Sequence, residues 1–389
     1  MDIFDRSHHP GHLSQPAAPG QKPKKAPGIG DSISLRPPKN RGEQVSGTPS
    51  KDHSGTRFRW PKPIIRGAPG MGYFFGKPDP VHKITLQLLK HDIEMSLRQT
   101  LRGTGVALIT PFGPDYSIDY DALGKVIDHV ITGGVEYVVS LGTTGETPTL
   151  SKEEKTAIAH FTYEKVAGRV PVVVGIGGNN TAELIDELKS FPLDKAVAVL
   201  SASPYYSKPS QEGLFQHYKA LAAVSPKPLL LYNVPGRTGR NLNAATTIRL
   251  AKEVKNIAGI KEASGDMAQC MEILRDKPED FLVVSGDDAL TLPQIACGME
   301  GVISVAANSF PRMFTDMVRL CLKGDFKGAK VLNDKLILGY EVLFAENNPA
   351  GVKAAMFELK LIGNYLRLPV VPVSGALQER IKSYVANLK

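Results

Sequence analysis

The sequence predicts a closed parallel (β/α)8 barrel of the TIM class over residues 95–324. A three-helix appendage follows at 325–389, and a disordered basic extension precedes it at 1–94. Three observations carry this reading. From Arg98 onward, short runs rich in β-branched residues alternate with segments of helical period. Eight such strands fit within about 230 residues, the number a closed barrel needs. Before Arg98 the texture is different: residues 1–94 hold 13 of the 29 prolines, the single tryptophan (Trp60) and six of the nine histidines.

The extension comes first in the chain. Stretches such as QPAAPGQKPKKAPG bury too little apolar surface to offset chain entropy, so disorder is expected there. The extension carries 15 Lys/Arg against 8 Asp/Glu, leaving 32 against 31 in the remaining 295 residues. Of the net charge of +8, +7 therefore belongs to the extension, and the near-neutral remainder argues against a nucleic-acid partner. His8, His9 and His12 lack a cysteine or carboxylate at ligand spacing, so no metal site is expected among them. No apolar run approaches the ~20 residues of a membrane span. The N-terminus also lacks the apolar segment of a secretory signal, which makes the cytoplasm the expected location. Met95, just before the barrel, is an alternative start.

The predicted strands are 106–112, 137–142, 171–176, 197–202, 229–234, 258–262, 282–285 and 302–306. The helices between them include 151–167, where Ser151 and Glu154 have the spacing of a capping box. Others lie near 181–190, 211–223, 243–254 and 267–275. Beyond 325 the strand pattern stops, and helices are expected near 326–345, 350–363 and 376–387. A doubly wound open sheet is the competing architecture, but the glycines of 175–180 lack the third position of a dinucleotide fingerprint. Cys270, Cys297 and Cys321 are odd in number and scattered. That fits buried thiols in a reducing compartment better than a disulfide framework or a zinc site.

In a barrel, reactive groups sit at the C-terminal ends of strands and in the loops that follow. Strand six ends in Gly259-Ile260-Lys261-Glu262. Desolvation at a barrel mouth favours the neutral form of an amine, and a neutral amine attacks ketones to form Schiff bases. A lysine that reaches solvent or pairs with Glu262 fits the position equally well. Strand two ends in Gly142-Thr143-Thr144-Gly145-Glu146, whose hydroxyls and closely approaching backbone suit a small carboxylate; a tight turn chosen for geometry alone is the plainer reading. Strand five places Tyr232 at its end and Arg237 in the next loop, a phenol for proton transfer and a guanidinium for a second carboxylate. Strand four adds Tyr205 and Tyr206. Each of these also reads as ordinary packing or surface charge. Together they are the inventory of a carbonyl enzyme for small anionic substrates, with no cofactor and no metal implied.

Four motifs in order are GTTGE at 142–146, SPYYSKPSQEG at 203–213, YNVPGRTG at 232–239 and GIKEASG at 259–265. On these, residues 98–389 resemble the dihydrodipicolinate synthase / N-acetylneuraminate lyase family. The resemblance implies an imine between Lys261 and pyruvate, with Thr144 binding the pyruvate carboxylate and Ile303 beside it. Tyr232, Thr143 and Tyr206 match the family's proton relay; the resemblance implies that Tyr206 reaches across a dimer interface and that Tyr205 packs there too. Arg237 matches the arginine that receives the carboxylate of L-aspartate-4-semialdehyde. The implied reaction yields 4-hydroxy-tetrahydrodipicolinate, on the route to diaminopimelate and lysine. The implied assembly is a homotetramer, a dimer of dimers. Another pyruvate-dependent aldolase, such as a sialic-acid or keto-deoxy-sugar lyase, is the alternative within the family. In family members inhibited by lysine, Asn179, Glu183 and Tyr205 match the inhibitor pocket. Lys152 and Lys155 stand where histidines are common and Pro148 replaces a small residue, so weak inhibition is expected.

Overall fold

A computed structural model describes residues 96–388. The expected disorder of 1–94 and the cluster His8, His9 and His12 lie outside these residues. Eight strands close into a barrel in chain order: β1 (Gly103–Ala107), β2 (Tyr137–Ser140), β3 (Val172–Gly175), β4 (Ala198–Ala202), β5 (Leu229–Asn233), β6 (Ile257–Glu262), β7 (Leu282–Ser285) and β8 (Gly301–Ser304). Every neighbouring pair is parallel, and closure is made by β8 on β1, from Gly103 opposite Gly301 to Val106 opposite Ser304.

Parallel strands covered on both faces must be largely apolar on both faces, which is why β2 through β5, β7 and β8 are dominated by Val, Leu, Ile and Ala. Inside the barrel pack Tyr137, Val139, Val173, Leu200, Leu230, Leu282, Val284 and Ile303. Their neighbours Val138, Val172, Val174, Val199, Leu229, Leu231, Val283 and Val302 face outward into the core beneath the helices. Gly105 is required by one of the interior side chains. A Cβ there would sit 2.1 Å from the Tyr137 ring, so the glycine makes room for the largest residue filling the barrel.

The outer ring is α1 (Tyr120–Thr132), α2 (Lys152–Val166), α3 (Thr181–Ser190), α4 (Gln211–Val224), α5 (Ala244–Glu253), α6 (Met267–Asp276), α7 (Thr291–Ala296) and α8 (Pro311–Leu322). The capping box is present on α2: Ser151 Oγ accepts from Glu154 N at 3.2 Å, and the Glu154 carboxylate accepts from Ser151 N at 2.9 Å. Asp119, Ser210, Asn243 and Asp266 cap α1, α4, α5 and α6 with their side chains, each accepting from a first-turn backbone N–H. The appendage is α9 (Phe326–Phe344), α10 (Ala350–Glu358) and α11 (Gly375–Asn387). It docks through edge-on aromatic contacts, Phe314 on Tyr340 and Phe310 on Tyr384. No described helix is long and apolar enough to cross a membrane.

Three expectations need correction. The first strand lies at 103–107 rather than 106–112. Its two glycines have low β propensity, yet a Cβ on Gly103 would run into the Glu136 side chain and one on Gly105 into the Tyr137 ring. The helix expected over 350–363 ends at Glu358, because Lys360 turns into the left-handed region (φ 62°) and the chain runs on irregularly to Ser374. Of the three thiols, Cys270 and Cys321 are buried, but Cys297 is exposed at the end of the short helix α7.

Candidate active site

The alternation of β5 and β6 decides which side chains reach the barrel interior. Between Leu229 and Leu230 the register slips by one residue, so that Leu229 faces Ile257 but Leu230 faces Gly259. A one-residue shift exchanges the faces of every following side chain. In this register Tyr232 pairs with Lys261, and both point inward. Asn233 pairs with Glu262, and both point outward. Outside, the Glu262 carboxylate is fully buried and accepts from Asn233 Nδ2, Ser264 N and Gln269 Nε2. That network ties down the backbone on either side of Lys261 without placing a cation beside it.

Lys261 is 5% exposed, and its Nζ lies 4.4 Å from the centre of the Tyr232 ring. Among the described residues its ammonium makes no hydrogen bond or ion pair, Glu262 included. Gly286 provides the space it occupies: a Cβ there would fall 2.9 Å from Lys261 Cε and 2.6 Å from Ala263 Cβ. Ile303 is buried in the same interior cluster as Tyr232. The end of β8 is fixed by Asp288, whose carboxylate accepts from Val305 N and Ala306 N at 3.1 and 2.7 Å. Burial pushes the Asp288 carboxyl up to about 6, against those same amides, which favour its charge.

After β2 the chain makes a 3-10 turn, Thr143–Gly145, flanked by Leu141 and Glu146 in left-handed conformations (φ 59° and 53°), and a second such turn, Thr147–Thr149, follows. Thr144 is buried, and its Oγ1 accepts from Asn348 Nδ2 at 3.1 Å. Arg237, exposed in the four-residue helical turn Pro235–Thr238 after β5, donates through Nη2 to the Asn348 carbonyl at 3.1 Å. Asn348 thus joins the turn holding Thr144 to the guanidinium of Arg237, while its own Oδ1 is buried with no partner among the described residues. Thr143 is half-buried beside Thr144. Tyr206 is the exception: it stands 90% exposed in the left-handed region (φ 69°), and Tyr205 before it is also exposed.

The arrangement is an unpaired amine inside a barrel mouth, with a phenol against it and a hydroxyl–amide–guanidinium chain at its rim. A family profile, described as the dihydrodipicolinate synthetase family, matches residues 100–388. The chain belongs to that family. It is 49% identical over 290 residues to a 4-hydroxy-tetrahydrodipicolinate synthase of Flavobacterium psychrophilum, covering 75% of this chain and 99% of that protein. It is 48% identical over 288 residues to the enzyme of the same name from Parabacteroides distasonis, covering 74% and 97%. Among solved structures, the chloride-inhibited dihydrodipicolinate synthase of Acinetobacter baumannii complexed with pyruvate matches with a TM-score of 0.72 at 38% identity, covering 74% of this chain and 99% of that one.

Within this family member, sequence reasoning missed Asn348, Lys353 and Gly286, and assigned Glu146 no role. Asn348 lies 204 residues from its partner Thr144, and Lys353 lies 207 residues from Glu146. Nothing in local spacing signals such contacts. Gly286 follows a strand, where a glycine reads as an ordinary loop start.

Proposed function

We propose that this protein condenses pyruvate with L-aspartate-4-semialdehyde to give 4-hydroxy-tetrahydrodipicolinate, the committed step toward diaminopimelate and lysine. The observation that carries the reading is Lys261, a buried lysine near the end of β6 with no counter-ion among the described residues. Its Nζ attacks the ketone carbon of pyruvate, and loss of water leaves the imine. Removal of a C3 proton gives the enamine, whose C3 attacks the aldehyde carbon of the semialdehyde. The semialdehyde's amine then adds to the imine carbon, expels Lys261 and closes the ring.

The remaining residues take their roles around that carbon. Thr144 holds the pyruvate carboxylate and Ile303 walls the bound pyruvate. Tyr232, Thr143 and Tyr206 pass protons to and from the imine. Arg237 receives the carboxylate of the semialdehyde as a charge-assisted pair. Tyr206 cannot serve this barrel while it stands in solvent. Its exposure, with a backbone conformation that disfavours any side chain bearing a Cβ, supports a dimer in which a second copy covers it. The assembly we propose is a homotetramer of two such dimers, located in the cytoplasm.

The test is direct. Purified protein is assayed for pyruvate-dependent consumption of aspartate semialdehyde and, in parallel, for cleavage of sialic and keto-deoxy sugar acids. Condensation without cleavage supports the proposal; cleavage without condensation replaces it with a sugar-acid lyase.

A further inference from the structure

The turn that carries Thr143 and Thr144 is not held by its own conformational preference. Two non-glycine residues in left-handed conformations flank it, each costing roughly 1–2 kcal/mol. Its geometry must therefore be imposed by contacts. Local ones exist: Thr110 Oγ1 donates to Gly145 O at 2.7 Å, and Thr147 Oγ1 donates to Gly142 O at 2.8 Å. The other end of the turn is held from the C-terminal appendage. The Glu146 carboxylate accepts from Lys353 Nζ, on α10, and from Arg367 N at 3.0 Å. Lys353 Nζ also donates to Tyr365 O at 3.0 Å and lies 4.2 Å from the centre of the Phe112 ring. Both side chains of the pair are removed from solvent, at 0% and 1% exposure.

An ion pair this deeply buried is an expensive way to gain stability. Desolvating two charges offsets most of their attraction, and apolar pairs of similar shape commonly do as well or better. Here burial holds Lys353 down to about 8 even with Glu146 beside it, so desolvation outweighs the partner. What a buried pair supplies that an apolar pair does not is one docking register. Lys353 must meet Glu146, and that contact fixes where α10 and Asn348 stand against the turn.

We propose that Glu146 and Lys353 form a positioning clamp, through which the C-terminal helix α10 sets the Thr143–Gly145 turn in the geometry that receives the pyruvate carboxylate. Neither residue touches substrate; both act through Thr143, Thr144 and Asn348. The inference rests on the reading above that this turn binds pyruvate. It implies that the appendage is part of the pyruvate site rather than only a cover for the barrel.

The test uses the full-length protein with Glu146→Gln/Lys353→Met, which removes both charges and leaves none uncompensated. The expected result is a folded variant whose KM for pyruvate rises at least about tenfold, since displacing a binding group by a fraction of an ångström weakens its action. The pyruvate concentration that half-saturates borohydride inactivation, which reads pyruvate capture alone, should rise in parallel. A folded variant with the parent's pyruvate saturation overturns the clamp. Glu146→Gln alone, which keeps the side-chain volume and one acceptor, repeats the comparison if the double variant does not fold. If neither folds, the pair belongs to the fold and the proposal fails. The parent protein is trapped alongside: absence of a pyruvate imine in the parent would instead refute the reading of the site.

Discussion

Replacing Gly286 by alanine tests how closely the barrel mouth is fitted to Lys261. The added methyl carbon would lie 2.6 Å from Ala263 Cβ and 2.9 Å from Lys261 Cε. Ordinary carbon contacts are about 3.5–4.0 Å, so the neighbours must retreat by about 1 Å. Lys261 Cε belongs to a flexible chain and yields first. Ala263 Cβ is fixed to the backbone just beyond β6, and Gly286 N itself donates to Glu262 O at 2.7 Å, so the two strand ends cannot simply separate. Overpacking of this kind costs about 1–3 kcal/mol of stability. A reacting group displaced by about 1 Å loses on the order of 100-fold in rate. The expected outcome is therefore a folded Gly286→Ala protein with a modestly lowered Tm and kcat/KM for pyruvate reduced about 100-fold. The assay is steady-state condensation with the rate of borohydride inactivation measured in parallel. A variant as fast as the parent in both would refute the argument that Gly286 shapes the space around the nucleophile.

Arg237→Ala should chiefly raise KM for the semialdehyde, by the roughly 1.5–3 kcal/mol of a lost charged hydrogen bond; an effect confined to pyruvate would contradict its role. Asp288 gives a pH signature. Its native carboxyl titrates near 6 against 3.8 unfolded, so the folded state binds the proton more tightly and stability from this group grows as pH falls from about 6 toward 4. Asp288→Asn removes the buried charge, so the variant's stability relative to the parent should improve by up to about 3 kcal/mol between pH 4 and pH 7 in denaturant titrations; the opposite slope would be incompatible. Inhibition by millimolar L-lysine should be weak, because the exposed Lys152 and half-buried Lys155 oppose a cationic ligand by about 2 kcal/mol at an effective dielectric near 20. Submillimolar half-inhibition would show that Asn179, Glu183 and Tyr205 suffice without histidines.

The barrel was legible because parallel strands buried on both faces write themselves as short apolar runs, and β2 through β8 fall within those runs or within a residue of their ends. The first strand was misplaced because its glycines answer to side chains of the neighbouring strand segment, Gly105 to the Tyr137 ring and Gly103 to Glu136, a demand no local rule expresses. Lys261, Tyr232 and Thr144 were legible as strand-end and motif residues and Ile303 through the family resemblance alone, and the fold brings Lys261, Tyr232 and Ile303 to one interior. What the sequence did not indicate is how Thr144 and Arg237 are joined. Asn348 and Lys353 sit on and before a C-terminal helix whose pattern speaks only of packing. Their contacts span more than 200 positions of chain. Tyr206 marks the opposite limit: its assigned role needs a second copy, and a single chain leaves it in solvent.

The account turns on which lysine becomes covalent. Among the described residues two lysines are buried, Lys261 and Lys353; Lys353 pairs with Glu146 and Lys261 has no ion pair there. Incubating the protein with pyruvate, reducing with borohydride and mapping the peptides should place a single 1-carboxyethyl group on Lys261, with activity lost in proportion to labelling. Labelling of Lys353 or any other lysine, or full activity after reduction in excess pyruvate, would contradict it.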